Sequence, residues 1–300
     1  MTMLDPISGW RLWLAGARPR TLPAAIVPVA VGAACAVGEG TDTEWWRAGL
    51  ALVVALALQV GVNYANDYSD GVRGTDDERR VGPLRLTGSG LATPEAVKRA
   101  SIIAFGIAGV VGAVLALIVG PELFVVGALS LLAGWTYTGG PKPYGYLGLG
   151  EVFVFVFFGL VATVGTTYVL LEEITTLSVV ASVAVGLWAT ALLVINNLRD
   201  IPGDTEVGKN TLAVRIGDRA TRVVFAAMHV GALAFALWAA FGFSRWGGLL
   251  AVLGLGQMIQ AVVDVQKGAS GLALIKVLGL TAQVQLVSGL GLAAGLALSA

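Results

Sequence analysis

Asn63, Asp67 and Asp70 stand at positions i, i+4 and i+7 of the octet Asn63-Tyr64-Ala65-Asn66-Asp67-Tyr68-Ser69-Asp70. On a helix that spacing places all three on one face. A second set, Asn196, Asp200 and Asp204, falls at i, i+4 and i+8, also near one face. Asn197 adjoins it, and Pro202-Gly203 is expected to end or kink the helix there. Opposed across a cavity, the two sets supply four carboxylates and the amide oxygens of two asparagines. These are hard oxygen ligands, and the single histidine, His229, lies far along the chain. Such a set suits magnesium rather than zinc. Four carboxylates cannot crowd together in low dielectric without a countercharge, which the cation supplies. Magnesium also leaves coordination positions that phosphate oxygens fill. The segments that follow the motifs carry Arg73, Arg79, Arg80, Arg85 and Lys209, the residue types that pair with phosphate. The combined reading is a diphosphate clamp, with Asp67, Asp70, Asp200 and Asp204 as the metal ligands. Asp and Asn at helix ends also serve as ordinary caps and turn residues. Two sets with matched spacing on one side of a membrane argue against that plainer role.

The elements that must position these residues are membrane helices. The chain of 300 residues is 56% hydrophobic and 13% charged, with a mean hydropathy of +0.81. A soluble protein carries about a quarter charged residues. Apolar runs near twenty residues recur throughout, the length that crosses a bilayer. The spans are expected at 12–38, 45–66, 97–119, 122–138, 148–171, 174–198, 219–242, 246–265 and 271–298. The fold class is therefore all-α, a polytopic membrane protein of nine transmembrane helices around a central cavity. Residues 1–300 form one domain, without heptads, low-complexity linkers or a clear signal peptide, and Cys35 alone cannot form an internal disulfide. Of the 19 Lys and Arg residues, all but Arg47 and Arg245 fall on one side of this topology. Positive residues favour the cytoplasm, so the N-terminus and both acidic motifs are expected inside. The motif-bearing segments after 66 and after 199 are the longest on that side and form a weak repeat, as in proteins built from two related halves. A secondary transporter shares these traits, but its site lies near the midplane, whereas here the carboxylates gather at one mouth.

At these residues the chain resembles the UbiA superfamily of intramembrane prenyltransferases. The common first motif of that family, N-x-x-x-D-x-x-x-D, matches at Asn63 and Asp67 but meets Gly71 at its third position. The second, D-x-x-x-D, matches at Asp200 and Asp204. The longer pattern Asn63, Asn66, Asp67, Asp70, Gly74 and Asp76 looks like the branch that prenylates 1,4-dihydroxy-2-naphthoate in menaquinone synthesis. "RPRTLPAAIVPVAVG" at 18–32, "YTGGPKPYGYLGLGE" at 137–151, "NNLRDIPGDTEVGKNTLAVRIG" at 196–217 and "GPLR" at 82–85 look like it too. The resemblance implies a magnesium enzyme of the cell membrane, its site opening to the cytoplasm. Its partners would be a polyprenyl diphosphate, 1,4-dihydroxy-2-naphthoate and the lipid bilayer, with no nucleic acid. Asn63, Asp67, Asp70, Asp200 and Asp204 would be catalytic. Asn66, Asp76, Arg79, Arg80, Arg85, Tyr137, Lys142, Tyr144, Asn196, Asn197 and Lys209 would bind substrate. Arg20, at the cytoplasmic end of the first span, would hold the acceptor carboxylate. The near rival is a prenyltransferase for another aromatic acceptor such as hydroxybenzoate.

Overall fold

The computed structural model describes residues 9–39, 43–74 and 84–300, so Asp76, Arg79 and Arg80 lie outside the described residues. Every regular element among the described residues is helical. In hydrocarbon each backbone N–H and C=O must be satisfied internally, and a helix does this within one segment. Helix α1 (Trp10–Ala17) meets α2 (Pro23–Ala36) at 53° across one tight turn, Pro19–Thr21. Arg18 turns the chain there with a left-handed backbone (φ 54°), and Pro19 and Pro23 open the next two pieces. Helix α3 (Trp46–Arg73) runs well past its expected end at 66 and carries the whole first motif. It stops at Gly74, whose left-handed φ of 69° returns its N–H to the carbonyls of Asp70 and Gly71.

Helix α4 (Pro94–Ile118) is capped by Thr93, and α5 (Glu122–Thr136) returns beside it. Helix α6 (Gly150–Leu171) contains a wide turn of π type over Phe155–Val161. Helix α7 (Thr176–Glu206), capped by Thr175, carries the second motif. Pro202 lies inside α7, which continues to Glu206, so of the expected end or kink at Pro202-Gly203 the end does not occur there. The ring removes one backbone bond, to Leu198, and that loss falls near the helix end. Helix α8 (Leu212–Gly242) breaks at Gly217, and α9 (Trp246–Gln266) and α10 (Leu272–Leu298) complete the bundle. Among the described residues, seven helices are long and apolar enough to cross a membrane, and the α1–α2 pair makes an eighth if it is one span. The expected span 122–138 corresponds to α5, whose 15 residues are short for a crossing.

α7 is the axis of the bundle. Within its apolar window 72% of residues are buried inside the protein, against 28% for α3 and α4. It packs on α2, α6, α8 and α10. In lipid, apolar burial gives helices little reason to associate, so close packing of small residues carries the contacts. Ala181, Ala184, Ala232, Ala236 and Ala239 are fully buried along these seams. Gly159 of α6 sits so close to Gly186 of α7 that a Cβ on it would meet the Gly186 Cα at 2.5 Å. The outer surface is apolar, with Val110, Leu117, Val125, Val230 and Leu298 exposed. This is the surface of a multi-pass membrane protein.

Candidate active site

The α3 face that enters the cavity carries Gln59, Asn63, Asn66 and Asp70. Asn63 donates its amide hydrogens to the Ala17 carbonyl and the Thr21 Oγ1, both at 2.9 Å, and Gln59 also reaches that hydroxyl at 3.0 Å. These bonds pin the α1–α2 corner, and with it Arg20, to α3. Asn66 accepts a hydrogen bond from Thr138 at 2.8 Å. Asp70 is buried and accepts one from the Tyr146 hydroxyl at 2.8 Å, and the Arg85 guanidinium stands 3.6 Å from its other oxygen. Asp67 behaves differently. It is fully buried outside the cavity wall, and its two oxygens accept the backbone N–H groups of Leu86 and Thr87, each at 2.8 Å. Successive helical residues turn by about 100°. With Asn66 on the cavity face, its neighbour Asp67 must therefore point aside. The i, i+4 pair that faces the cavity is thus Asn66 and Asp70. Asp67 instead shapes the loop that delivers Arg85.

On α7 the cavity is lined by Asn196, Asn197, Arg199 and Asp200. Arg199 grips the Asp200 carboxylate with two parallel bonds of 2.7 Å, and its Nη1 has no partner among the described residues. Asn197 donates to the buried Glu151 at 2.9 Å, which turns its carbonyl oxygen away from that carboxylate. Asn196 donates to the Leu192 carbonyl at 3.0 Å. Asp204 is buried one turn further on, with the Lys209 ammonium 3.6 Å away. Tyr146 ties the two motifs together. Lys209 lies 5.0 Å from its ring centre and the Arg73 guanidinium 5.2 Å, while its hydroxyl holds Asp70. Arg73 also donates to the carbonyls of Thr138 and Gly140. Burial works against the Lys209 charge, but Asp70 and Asp204 outweigh it and hold its pKa above the ordinary lysine value.

The polar mouth leads into a cavity of about 1380 Å³. Next to the mouth, aromatic rings line the wall. Tyr137 meets Tyr144 edge-on at 5.4 Å, and Tyr144 stacks on Phe153 at 3.9 Å. The wide turn in α6 brings Phe157, Phe158 and Val161 to the same wall. Burial raises the pKa of the Tyr144 phenol, which donates to the Ala133 carbonyl at 2.9 Å. Further in, the lining is hydrocarbon, including Val54, Leu58, Leu131 and Leu286. Arg20 stands at the rim, exposed, without a partner among the described residues.

Of the described residues expected at the site, the fold brings Arg20, Asn63, Asn66, Asp70, Arg85, Tyr137, Tyr144, Asn196, Asn197, Asp200 and Lys209 to one cavity. Asp204 joins through Lys209. Lys142 does not join; it is exposed on the 140–143 loop, away from the cavity wall. Arg199 escaped notice because it read only as one more cytoplasmic cation. Its place beside Asp200 was the signal. Among the described residues no three Asp, Glu, His or Cys side chains lie close enough to share a single metal ion. Each cavity-side carboxylate instead faces a cation: Asp70 with Arg85, Asp200 with Arg199 and Asp204 with Lys209.

Residues 25–296 match the UbiA prenyltransferase family. The chain is 47% identical over 287 residues to the 1,4-dihydroxy-2-naphthoate octaprenyltransferase of Mycobacterium tuberculosis, covering 95% of this chain and 96% of that one. A UbiA homologue from Aeropyrum pernix has a similar fold, with a TM-score of 0.68 at 16% identity over 90% of this chain and 96% of that one. A UbiA homologue from Archaeoglobus fulgidus, solved with DMAPP and Mg2+, superimposes with a TM-score of 0.61 at 13% identity, covering 94% of this chain and 99% of that one.

Proposed function

For a chain that belongs to the UbiA prenyltransferase family, we propose that the reaction is transfer of a polyprenyl group from its diphosphate to 1,4-dihydroxy-2-naphthoate, with loss of the ring carboxylate. The products are demethylmenaquinol, diphosphate and carbon dioxide. The observation that carries this reading is the cavity, with opposed acidic motifs and cations at one end and a hydrocarbon lining beyond. A diphosphate bearing a lipid tail has that same division. The 47% identity to a relative of this activity supports the acceptor.

Magnesium is typically held by one or two carboxylates together with substrate phosphates, and the donor set here is oxygen throughout. Asp70 on α3, with Asn66 beside it, and Asp200 and Asp204 on α7 would each lend a carboxylate to magnesium bound with the substrate phosphates, no three of them sharing one ion; Asp67 serves by fixing the Arg85 loop. When bound, the metal draws charge from the leaving diphosphate. Arg85, Arg199 and Lys209, which stand beside these carboxylates, would bind the phosphate oxygens. Cleavage of the C–O bond sends its electron pair to the diphosphate and leaves an allylic cation. The faces of Tyr137, Tyr144 and Phe153 shield that cation from water. The electron-rich naphthoate ring attacks it at the carbon bearing the carboxylate. The pair of the breaking C–CO2 bond then restores the aromatic ring. Arg20 holds the carboxylate until that step.

The 17-to-2 sorting of Lys and Arg supports nine crossings, with the N-terminus and the mouth of the cavity in the cytoplasm of a plasma membrane. In that arrangement α5 completes a crossing together with the residues around it, and the whole chain is one catalytic domain. The test is direct. Purified protein in detergent is given a polyprenyl diphosphate with dihydroxynaphthoate or hydroxybenzoate, with and without magnesium. Magnesium-dependent diphosphate release with a decarboxylated naphthol product is expected. Turnover of hydroxybenzoate alone would move the chain to the neighbouring branch. No turnover of either would sink the reading.

A further inference from the structure

The hydrocarbon end of the cavity has a defined depth. Along α3 the lining runs from Asn66 to Ala51, a rise of about 22 Å at ~1.5 Å per residue. Ala51, Leu115, Leu123 and Val169 line its far end. Just beyond them the bundle is tied shut. Arg47 of α3 donates to the Val169 carbonyl at 3.1 Å and pairs with Glu172 at 2.8 Å, and Tyr168 of α6 donates to Glu122 of α5. The cavity is therefore a shaft with a polar mouth and a fastened floor.

Three glycines on three different helices form part of its wall: Gly112 of α4, Gly127 of α5 and Gly165 of α6. Tight packing does not require them. A Cβ built on any of the three meets no atom within 4 Å. This separates them from Gly159, where a Cβ strikes the neighbouring helix. What sets these three apart from other unpacked helical glycines such as Gly106 is that they line the cavity, so a side chain added there would enter it. Here the open space beside each glycine is the lumen itself.

We propose that Gly112, Gly127 and Gly165 set the length of prenyl chain that the enzyme accepts, by keeping the deep half of the shaft open. This rests on the prenyltransferase reading and extends it to substrate selection. A short tail ends near the aromatic wall and does not reach them. A long tail passes them on its way to the floor, or folds back above it.

The test replaces Gly112 or Gly165 with leucine and compares a fifteen-carbon with a forty-carbon prenyl diphosphate in detergent. Leucine favours a helix over glycine and meets open space, so folding is retained, as thermal unfolding will report. Displacing about two methylene groups from the shaft should lower kcat/KM for the long substrate roughly tenfold or more. Turnover of the short substrate should stay within about twofold. Gly106→Leu is the control, since Gly106 also has open space but lies outside the cavity. It should change neither. An unchanged ratio of long to short turnover in both shaft variants would overturn the inference, as would an equal shift in Gly106→Leu. The unsubstituted protein separates the two levels: failure to turn over either diphosphate refutes the prenyltransferase function itself, and the chain-length inference with it.

Discussion

Asp67 and Asp70 are both buried acids in one short motif, yet their surroundings assign them opposite work. Both oxygens of Asp67 are used by the N–H groups of Leu86 and Thr87. Asp67→Asn can satisfy only one of them with an oxygen. A buried donor left unpaired costs about 1–3 kcal/mol. Asp67→Asn should therefore lower the thermal stability of the protein measurably, with lost activity following from a misplaced Arg85. Asp70→Asn and Asp200→Asn should do the reverse: near-normal unfolding temperature, but turnover down by at least about a hundredfold, since a charge beside the leaving group is removed. Equal stability losses in Asp67→Asn and Asp70→Asn would erase the distinction. Arg20 is an exposed cation lining the cavity. A lost arginine–carboxylate contact is worth roughly 2–5 kcal/mol. Arg20→Ala should raise the KM for dihydroxynaphthoate about tenfold or more and leave the KM for the prenyl diphosphate nearly unchanged; an unaltered acceptor KM would leave Arg20 as a topology residue only. Lys209 sets the behaviour at high pH. Its folded pKa lies above its ordinary value of 10.5. The stabilisation it contributes is complete below that value and is lost only as pH rises through the folded pKa. Lys209→Ala should weaken diphosphate binding across neutral pH, without introducing a new transition between pH 7 and 9 in binding measured against pH.

The two long helices α3 and α7 present the motifs because each continues beyond its apolar stretch. Their hydrophobic runs end near Val62 and Ile195, but the helices run on to Arg73 and Glu206. The polar ends are held by side-chain bonds rather than by lipid: Asn63 to Ala17, Asn66 to Thr138, Asp70 to Tyr146 and Asn197 to Glu151. The expected edge at 66 came from hydropathy, which marks where the bilayer ends and not where the helix does. α6 and α7 approach each other closely at Gly159 and Gly186. At Gly159 a side chain must push against the Gly186 backbone, which cannot swing aside. Gly159→Leu should therefore separate the two helices, at a cost of about 1–3 kcal/mol or more, and displace Phe157 and Phe158 from the cavity wall. Loss of thermal stability together with reduced turnover of short and long prenyl diphosphates alike is expected. An unaltered unfolding temperature would show that the packed Gly159–Gly186 contact carries no weight.

Across the whole molecule, the sorting of Lys and Arg predicts the proposed orientation, with both motifs on the cytoplasmic side. Cysteines placed at the exposed Ser89 and Thr205, in a Cys35→Ser background, should react with an impermeant thiol reagent only from the cytoplasmic side. Reaction of one from each side would pull the two motifs apart. The all-helical, multi-pass architecture was legible in the amino-acid order alone. Hydropathy and the sorting of Lys and Arg are sums over residue types, and they need no knowledge of packing. The two acidic motifs, their oxygen-only chemistry and the aromatic and basic residues around them were equally plain, because spacing along a helix is a local property. What the tertiary structure decided was rotation and adjacency. Hydropathy cannot say which of Asn66 and Asp67 faces the cavity, since the helix can be turned by one residue without changing its composition; the packing of α3 on α4 and the Leu86 loop settles it. Nor could spacing separate Lys142, which lies out on a loop, from Arg199, which reaches the carboxylate beside it in the cavity wall. The role of Tyr146 as the link between the motifs, and of three glycines as open wall rather than packing, depends on contacts between segments distant in the chain. Those contacts follow from how the helices pack against one another, and no periodicity within a single segment records them.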